Sequence, residues 1–81
     1  MNRQQRDKNN QSIIKAHKET IKSSIQLVKA NMWEASEVLE MVIPSAEEFY
    51  MRFIGGTKET CDMVDDLFRD IIEAKEFLLN S

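Results

Sequence analysis

A long run of helical periodicity without glycine or proline, from Ile13 to Val42, constrains this chain more than any other feature. Alternating steps of four and three along it give an apolar seam of Ile14, Lys18, Ile21, Ile25, Val28, Met32, Ala35, Leu39 and Val42. Such steps place side chains on one face of an α-helix, and only Lys18 interrupts the apolar character. The seam predicts a first helix over residues 12–43, about 45 Å long at ~1.5 Å per residue.

A proline then predicts the start of a second, shorter helix. Pro44 ends the first helix in this interpretation, because its ring disfavours helical geometry at the preceding residue and it has no amide N–H. Ser45 followed by Glu48 matches a capping box. These signals predict a helix over residues 45–54.

A pair of glycines separates this helix from a third one. Gly55 and Gly56 are typical of a change of direction, and Thr57 is placed to cap a helix over residues 57–79. Apolar positions there repeat by threes and fours. They form a seam of Cys61, Val64, Phe68, Ile71, Lys75 and Leu78, joined by Leu67, Ile72, Ala74 and Leu79. The glycine pair lacks the Lys-Ser/Thr of a phosphate-binding loop, so we expect no nucleotide site at the turn.

The predicted fold is all-α. Of 81 residues, 42% are apolar, two are Gly and one is Pro, which leaves room for few turns. We expect a helical hairpin or small three-helix bundle with one long first helix, a short second helix and a long third helix, forming a single helical domain over residues 12–81. Residues 1–11 have no apolar face and predict a polar, basic, flexible tail. Asn10 or Ser12 is the expected cap of the first helix.

Charge is distributed unevenly along the chain. The net charge is −3, but residues 1–30 carry seven basic and two acidic side chains, a net of +5, while the remainder carries four basic and twelve acidic, a net of −8. Because opposite charges attract, we expect the acidic last helix to lie antiparallel beside the basic first one, within one chain or between two.

The reactive residues give no recognisable catalytic or metal motif. Cys61 and His17 are the only residues of their types, so an internal disulfide is excluded and a zinc site within one chain is not expected. We interpret Cys61 as a buried thiol on the apolar face of the third helix. We expect no cofactor, no secretory leader and no membrane span, and a cytoplasmic location.

Three aromatic residues are the candidate contacts for a protein partner. Trp33 either closes the edge of the core, with Lys29 over its ring, or anchors a partner as an exposed side chain. Tyr50 and Phe53 either belong to the core or form a binding knob. The partner would be oriented either by Lys22 and Lys29, on a flank of the first helix, or by the acidic back face of the third helix.

These features favour a non-enzymatic protein-binding regulator, adaptor or inhibitor inside the cell, with self-association, as a dimer, expected from the long first helix. The alternative is a nucleic-acid-associated protein, for which the phosphate contacts would be Arg3, Arg6, Lys8, Lys15, Lys22 and Lys29. The acidic remainder of the chain argues against it. In size, helicity and acidity the chain is similar in a general way to small regulators carried by phages and mobile elements, which would place it in the host cytoplasm. No motif assigns a family.

Overall fold

The computed structural model describes residues 2–81 as three packed helices, α1 (Arg3–Lys29), α2 (Ala35–Arg52) and α3 (Lys58–Leu79). The third helix packs against both of the others, and all three pairs of helices are in contact. The bundle measures 43 × 17 × 17 Å. This confirms the predicted all-α class and selects the three-helix bundle.

The helices alternate in direction, so α1 and α3 run parallel. Near its start α1 contacts Thr57, the N-cap of α3, through Asp7, and near its end Lys29 lies over the ring of Phe77. The expected antiparallel arrangement of first and last helices is therefore wrong. Because the first helix is interrupted, the chain reverses at residues 30–34 and again at residues 53–57.

That interruption is a Schellman turn at residues 30–32. Asn31 has a φ of 58°, and its N–H bonds to the Val28 carbonyl while the Met32 N–H bonds to the Leu27 carbonyl. These are the two hydrogen bonds that end a helix at a residue in the left-handed conformation. Asparagine tolerates this conformation better than most other residues with a Cβ. The predicted helix over 12–43 therefore ends at Lys29.

Pro44 lies inside α2 and does not separate two helices. The ring removes the N–H that would bond to the Glu40 carbonyl. Both Pro44 and Glu40 are exposed, so water can hydrate that carbonyl, while buried Ile43 and Ala46 hold the helix on either side. The prediction of a helix start at Ser45 is wrong, and the second helix has 18 residues.

The predicted tail is largely helical. The first helix begins at Arg3, where the Asn2 side chain accepts the Gln5 N–H at 2.8 Å. The prediction of a flexible tail is wrong for residues 3–11, as are Asn10 and Ser12 as caps, while Met1 lies outside the described residues. The polar segment is held because its side chains contact the start of α3, a signal that apolar periodicity does not carry.

The core follows the predicted seam in α1. In α3 it takes one side of the broader predicted seam, the side that includes Leu67 and Ala74. The α1 side chains Ile14 and Ile21 are buried, and Ile25 and Val28 pack against the core. In α3 the buried positions are Thr60, Val64, Leu67, Ile71, Ala74 and Leu78. The predicted α3 positions Cys61, Phe68 and Lys75 consequently lie at its flank.

Candidate functional site

An aromatic pair on the flank shared by α2 and α3 is the most distinctive surface feature. The rings of Tyr50 and Phe68 stack with centroids 4.6 Å apart and planes inclined by 19°. Phe68 and Ile72, one turn later, are 40% and 41% exposed. We call the surface formed by Tyr50, Phe68 and Ile72 the α2/α3 face.

Polar groups border this face. The Lys75 ammonium lies 3.0 Å from a Glu47 carboxylate oxygen, which ties α3 to α2 one turn beyond Ile72. An aromatic and aliphatic centre with a polar rim is the usual composition of a protein-binding patch. Sequence reasoning identified Tyr50 but missed Phe68 and Ile72, because their spacing was interpreted as core. The buried neighbours Leu67 and Ile71 hold that role.

Trp33 lies between α1 and α2, where it is half-buried and packs against the core. Its indole N–H donates a hydrogen bond to Glu37, in the first turn of α2. Lys29 lies 5.4 Å from the Phe77 ring centroid, so the expected stacking of Lys29 on Trp33 is wrong. An anchoring role for Trp33 stays a prediction.

Phe53 lies at the opposite end of the bundle, at the end of α2. It borders a groove of about 280 Å³ together with Arg6, Phe49 and Ile54. Its ring centroid is 6.3 Å from that of Phe49, and it packs against the core. The structure therefore separates Phe53 from Trp33, which lies at the other end of α2.

The lysine candidates border an open groove between α1 and α3, with a volume of about 550 Å³. Lys22 and Lys29 lie on its α1 side, and Asp70, Glu73 and Phe77 on its α3 side. We call this surface the α1/α3 face. Cations and carboxylates therefore face one another across it.

Lys18 crosses this groove and forms the central ion pairs. Its ammonium is 2.7 Å from Asp66 and 3.7 Å from Asp70. The hydrogen bond to Asp66 raises the pKa of Lys18, and the same bond lowers the pKa of the Asp66 carboxyl. The one charged position in the predicted seam thus pairs with the acidic helix, as the charge distribution indicates.

A network of polar side chains, which we call the Asp7 clasp, joins α1 to the start of α3. Asp7 accepts hydrogen bonds from the Thr57 N–H at 3.0 Å and from the Thr57 and Thr60 hydroxyls at 2.8 Å each. Gln11 donates to the fully buried Thr60 hydroxyl at 2.9 Å. These hydrogen bonds lower the pKa of Asp7. The largest effect comes from the Thr57 N–H, followed by the Thr60 hydroxyl and then the Thr57 hydroxyl.

His17 and Cys61 both take part in packing. The His17 ring lies 5.5 Å from that of Phe49, and burial lowers its pKa. The Cys61 thiol, half-buried rather than fully buried as expected, contacts the Gly56 carbonyl at 3.8 Å. Across residues 2–81 no group of three or more His, Cys, Asp or Glu side chains is placed to hold a metal ion.

The helices were also compared with membrane-spanning segments, and the chain with known proteins. Within the described chain, no helix combines the length and apolar character needed to cross a bilayer. Searches against protein-family models, curated proteins and solved structures found no match to this chain.

Proposed function

We propose that this chain is a non-enzymatic protein-binding regulator, adaptor or inhibitor that works inside the cell and holds its partner on the α2/α3 face. The observation that carries the proposal is the partly exposed stack of Tyr50 on Phe68. Aromatic side chains bury a large area at low entropic cost, so such a pair favours an interface.

The partner that this face fits is an amphipathic helix. Two neighbouring antiparallel helices leave a groove in which a third can lie, and the added helix would extend the bundle to four. Apolar side chains of the partner, spaced by three and four residues, would contact Phe68 and Ile72. The ion pair of Lys75 with Glu47 lies beside this position and would orient the partner's polar groups.

The non-enzymatic part of the proposal rests on the two residues that most often perform chemistry. His17 packs on Phe49, and Cys61 contacts a backbone carbonyl. The nucleic-acid alternative has less support. Arg3 and Arg6 border a groove at one end of the bundle, while the lysines along α1 lie across from carboxylates, which repel phosphate.

The proposal is tested with Ile72→Glu and a matched control, Met41→Glu. Met41 is an exposed apolar residue of α2, nine residues before Tyr50 and therefore half a rotation around the helix from the face. A partner captured with the wild-type chain should be lost with Ile72→Glu and retained with Met41→Glu. With purified partner, calorimetry should show Kd raised at least about tenfold for Ile72→Glu. Equal binding by both folded variants overturns the proposal.

A further inference from the structure

Four lysines of α1 recur at every seventh residue along one flank, at Lys8, Lys15, Lys22 and Lys29. Seven residues are close to two helical turns, so the ammonium groups follow one another at roughly 10 Å intervals. All four side chains are exposed. Within residues 2–81, the lysines that pair with carboxylates are Lys18, Lys58 and Lys75, so this row has no carboxylate partner in its own chain.

The other side of the α1/α3 face carries the complementary charge. Asp66, Asp70 and Glu73 follow one another along α3, and in the described part of the chain Glu73 forms no ion pair. Ile25 and Phe77 line the groove between the two rows and are half-buried. Apart from Glu19, which also lines the groove on the α1 side, the face thus has a basic edge, an acidic edge and an apolar centre.

We propose that a second copy of this chain packs on the α1/α3 face about a twofold axis parallel to the helices. Because α1 and α3 run in the same direction, this rotation places α1 of each copy opposite α3 of the other, at the same height. Every basic edge then meets an acidic edge. A twofold axis perpendicular to the helices would instead set lysine row against lysine row, which like-charge repulsion disfavours.

The relative heights of α1 and α3 within one chain determine which residues meet between the two copies. Lys15 and Asp66 border the same stretch of groove, and Lys22 and Glu73 border the next. Rotation about the parallel axis preserves height, so Lys22 of one copy meets Glu73 of the other. Phe77 and Ile25 of both copies meet at the axis and supply apolar burial.

The size of the face suits a weak dimer. Extents of 43 Å and 17 Å give a face of roughly 700 Å², near the ~800 Å² per partner of a standard interface. Exposed ion pairs contribute little individually and are screened by salt. The dimer should therefore dissociate as salt rises. The α2/α3 face lies on the other flank of α3, so this proposal is independent of the proposed function.

Charge reversal followed by mixing tests the dimer. Lys22→Glu places a carboxylate opposite Glu73 of the second copy, and Glu73→Lys places an ammonium opposite Lys22. Each variant alone should therefore have its dimer Kd raised at least about tenfold. An equal mixture of the two variants can form mixed dimers with two attractive contacts. One contact pairs the introduced carboxylate with the introduced ammonium, and the other pairs native Lys22 with native Glu73. Sedimentation velocity at low salt should show dimers for the wild type and the mixture, and monomers for each variant alone.

A charge reversal on another helix serves as the matched control. Glu40→Lys makes the same charge change on α2, which does not border the groove. It should dimerise like the wild type on its own, and adding it to Lys22→Glu should leave the Lys22→Glu copies monomeric. If a reversal unfolds the chain by circular dichroism, Lys22→Ala and Glu73→Ala replace it, and each should weaken the wild-type dimer.

Each of three results would overturn the proposal. One is a wild-type chain that is monomeric at low salt, and another is a mixture of Lys22→Glu with Glu73→Lys that stays monomeric. A monomer that retards a DNA duplex until Lys22 is reversed would also overturn it, and would support the nucleic-acid alternative instead.

Discussion

The carboxylate of Asp7 accepts a hydrogen bond from the backbone N–H of Thr57 at 3.0 Å, across 50 residues of sequence. Thr57 is the N-cap of α3, so the carboxylate lies at the positive end of that helix, where negative charge is stabilised. The same contact explains why α1 extends to Arg3, although its first residues have almost no apolar side chains.

The Asp7 clasp predicts a specific loss of stability in acid. The pKa of Asp7 is lower in the folded chain than its ordinary value of 3.8. The stability that the ionised carboxylate contributes is therefore complete above that value and is lost as pH falls through the folded pKa. Urea unfolding of the wild type and Asp7→Asn should differ by a constant free energy near neutral pH. That difference should shrink below about pH 4. A pH-independent difference would contradict the assignment.

Gly56 should be intolerant of a side chain because of Asp7. A Cβ at Gly56 would lie 2.5 Å from Asp7 Oδ1, and the carboxylate can move aside only by breaking its bonds to Thr57. Gly56→Ala should therefore lower the melting temperature in the wild type and have a smaller effect in an Asp7→Ala background. A double-mutant cycle measures this coupling. Equal effects in both backgrounds would show that the clasp is not what excludes the methyl group.

Replacing Pro44 by alanine should stabilise the chain. Alanine restores the N–H that can bond to the Glu40 carbonyl and removes the ring from the interior of α2, at the expense of a more flexible unfolded chain. We expect the free energy of unfolding to rise by about 1–3 kcal/mol. Ser45→Ala, at the next exposed position, is the control in urea denaturation. A gain no larger than that of the control would refute the prediction.

Asn31 should tolerate glycine but not alanine. Its φ of 58° is unfavourable for alanine, which has a Cβ but no polar side chain to form a local hydrogen bond. The same φ is favourable for glycine, which has no Cβ. Asn31→Gly should stabilise the chain by up to about 1 kcal/mol, and Asn31→Ala should destabilise it by about 1 kcal/mol. Thermal unfolding of the pair checks the order, and alanine more stable than glycine would be inconsistent with a Schellman turn.

Apolar periodicity predicted the class of fold and most of the buried side chains of α1, because burial of such residues follows from spacing alone. It failed where one residue decides a boundary. Asn31 ends α1 through a backbone conformation that has no apolar signature, and Pro44 is accommodated because its side of α2 faces water. The first effect depends on the backbone conformation at Asn31 as well as on its residue type, and the second depends on the solvent exposure of Pro44.

The candidate surfaces were predictable only in part for the same reason. Tyr50 was identified by its residue type, but its stacking partner Phe68 was interpreted as core, since a shift of one residue along α3 separates its buried row from its flank. The lysine row was visible in the sequence. Its position opposite Glu73 depends on the parallel direction of α1 and α3, which follows from the turn at Asn31.

The 50-residue separation between Asp7 and Thr57 also sets an order of events during synthesis. A ribosome delivers residues from the amino terminus, so the first turns of α1 leave the exit tunnel long before the groups that hold them exist. Until Thr57 and Thr60 emerge, Asp7 and Gln11 lack the groups that they bind in the folded chain, and the apolar side chains of α1 and α2 lack α3 as a packing partner. That interval is when the growing polypeptide is most exposed to aggregation and to chaperone binding.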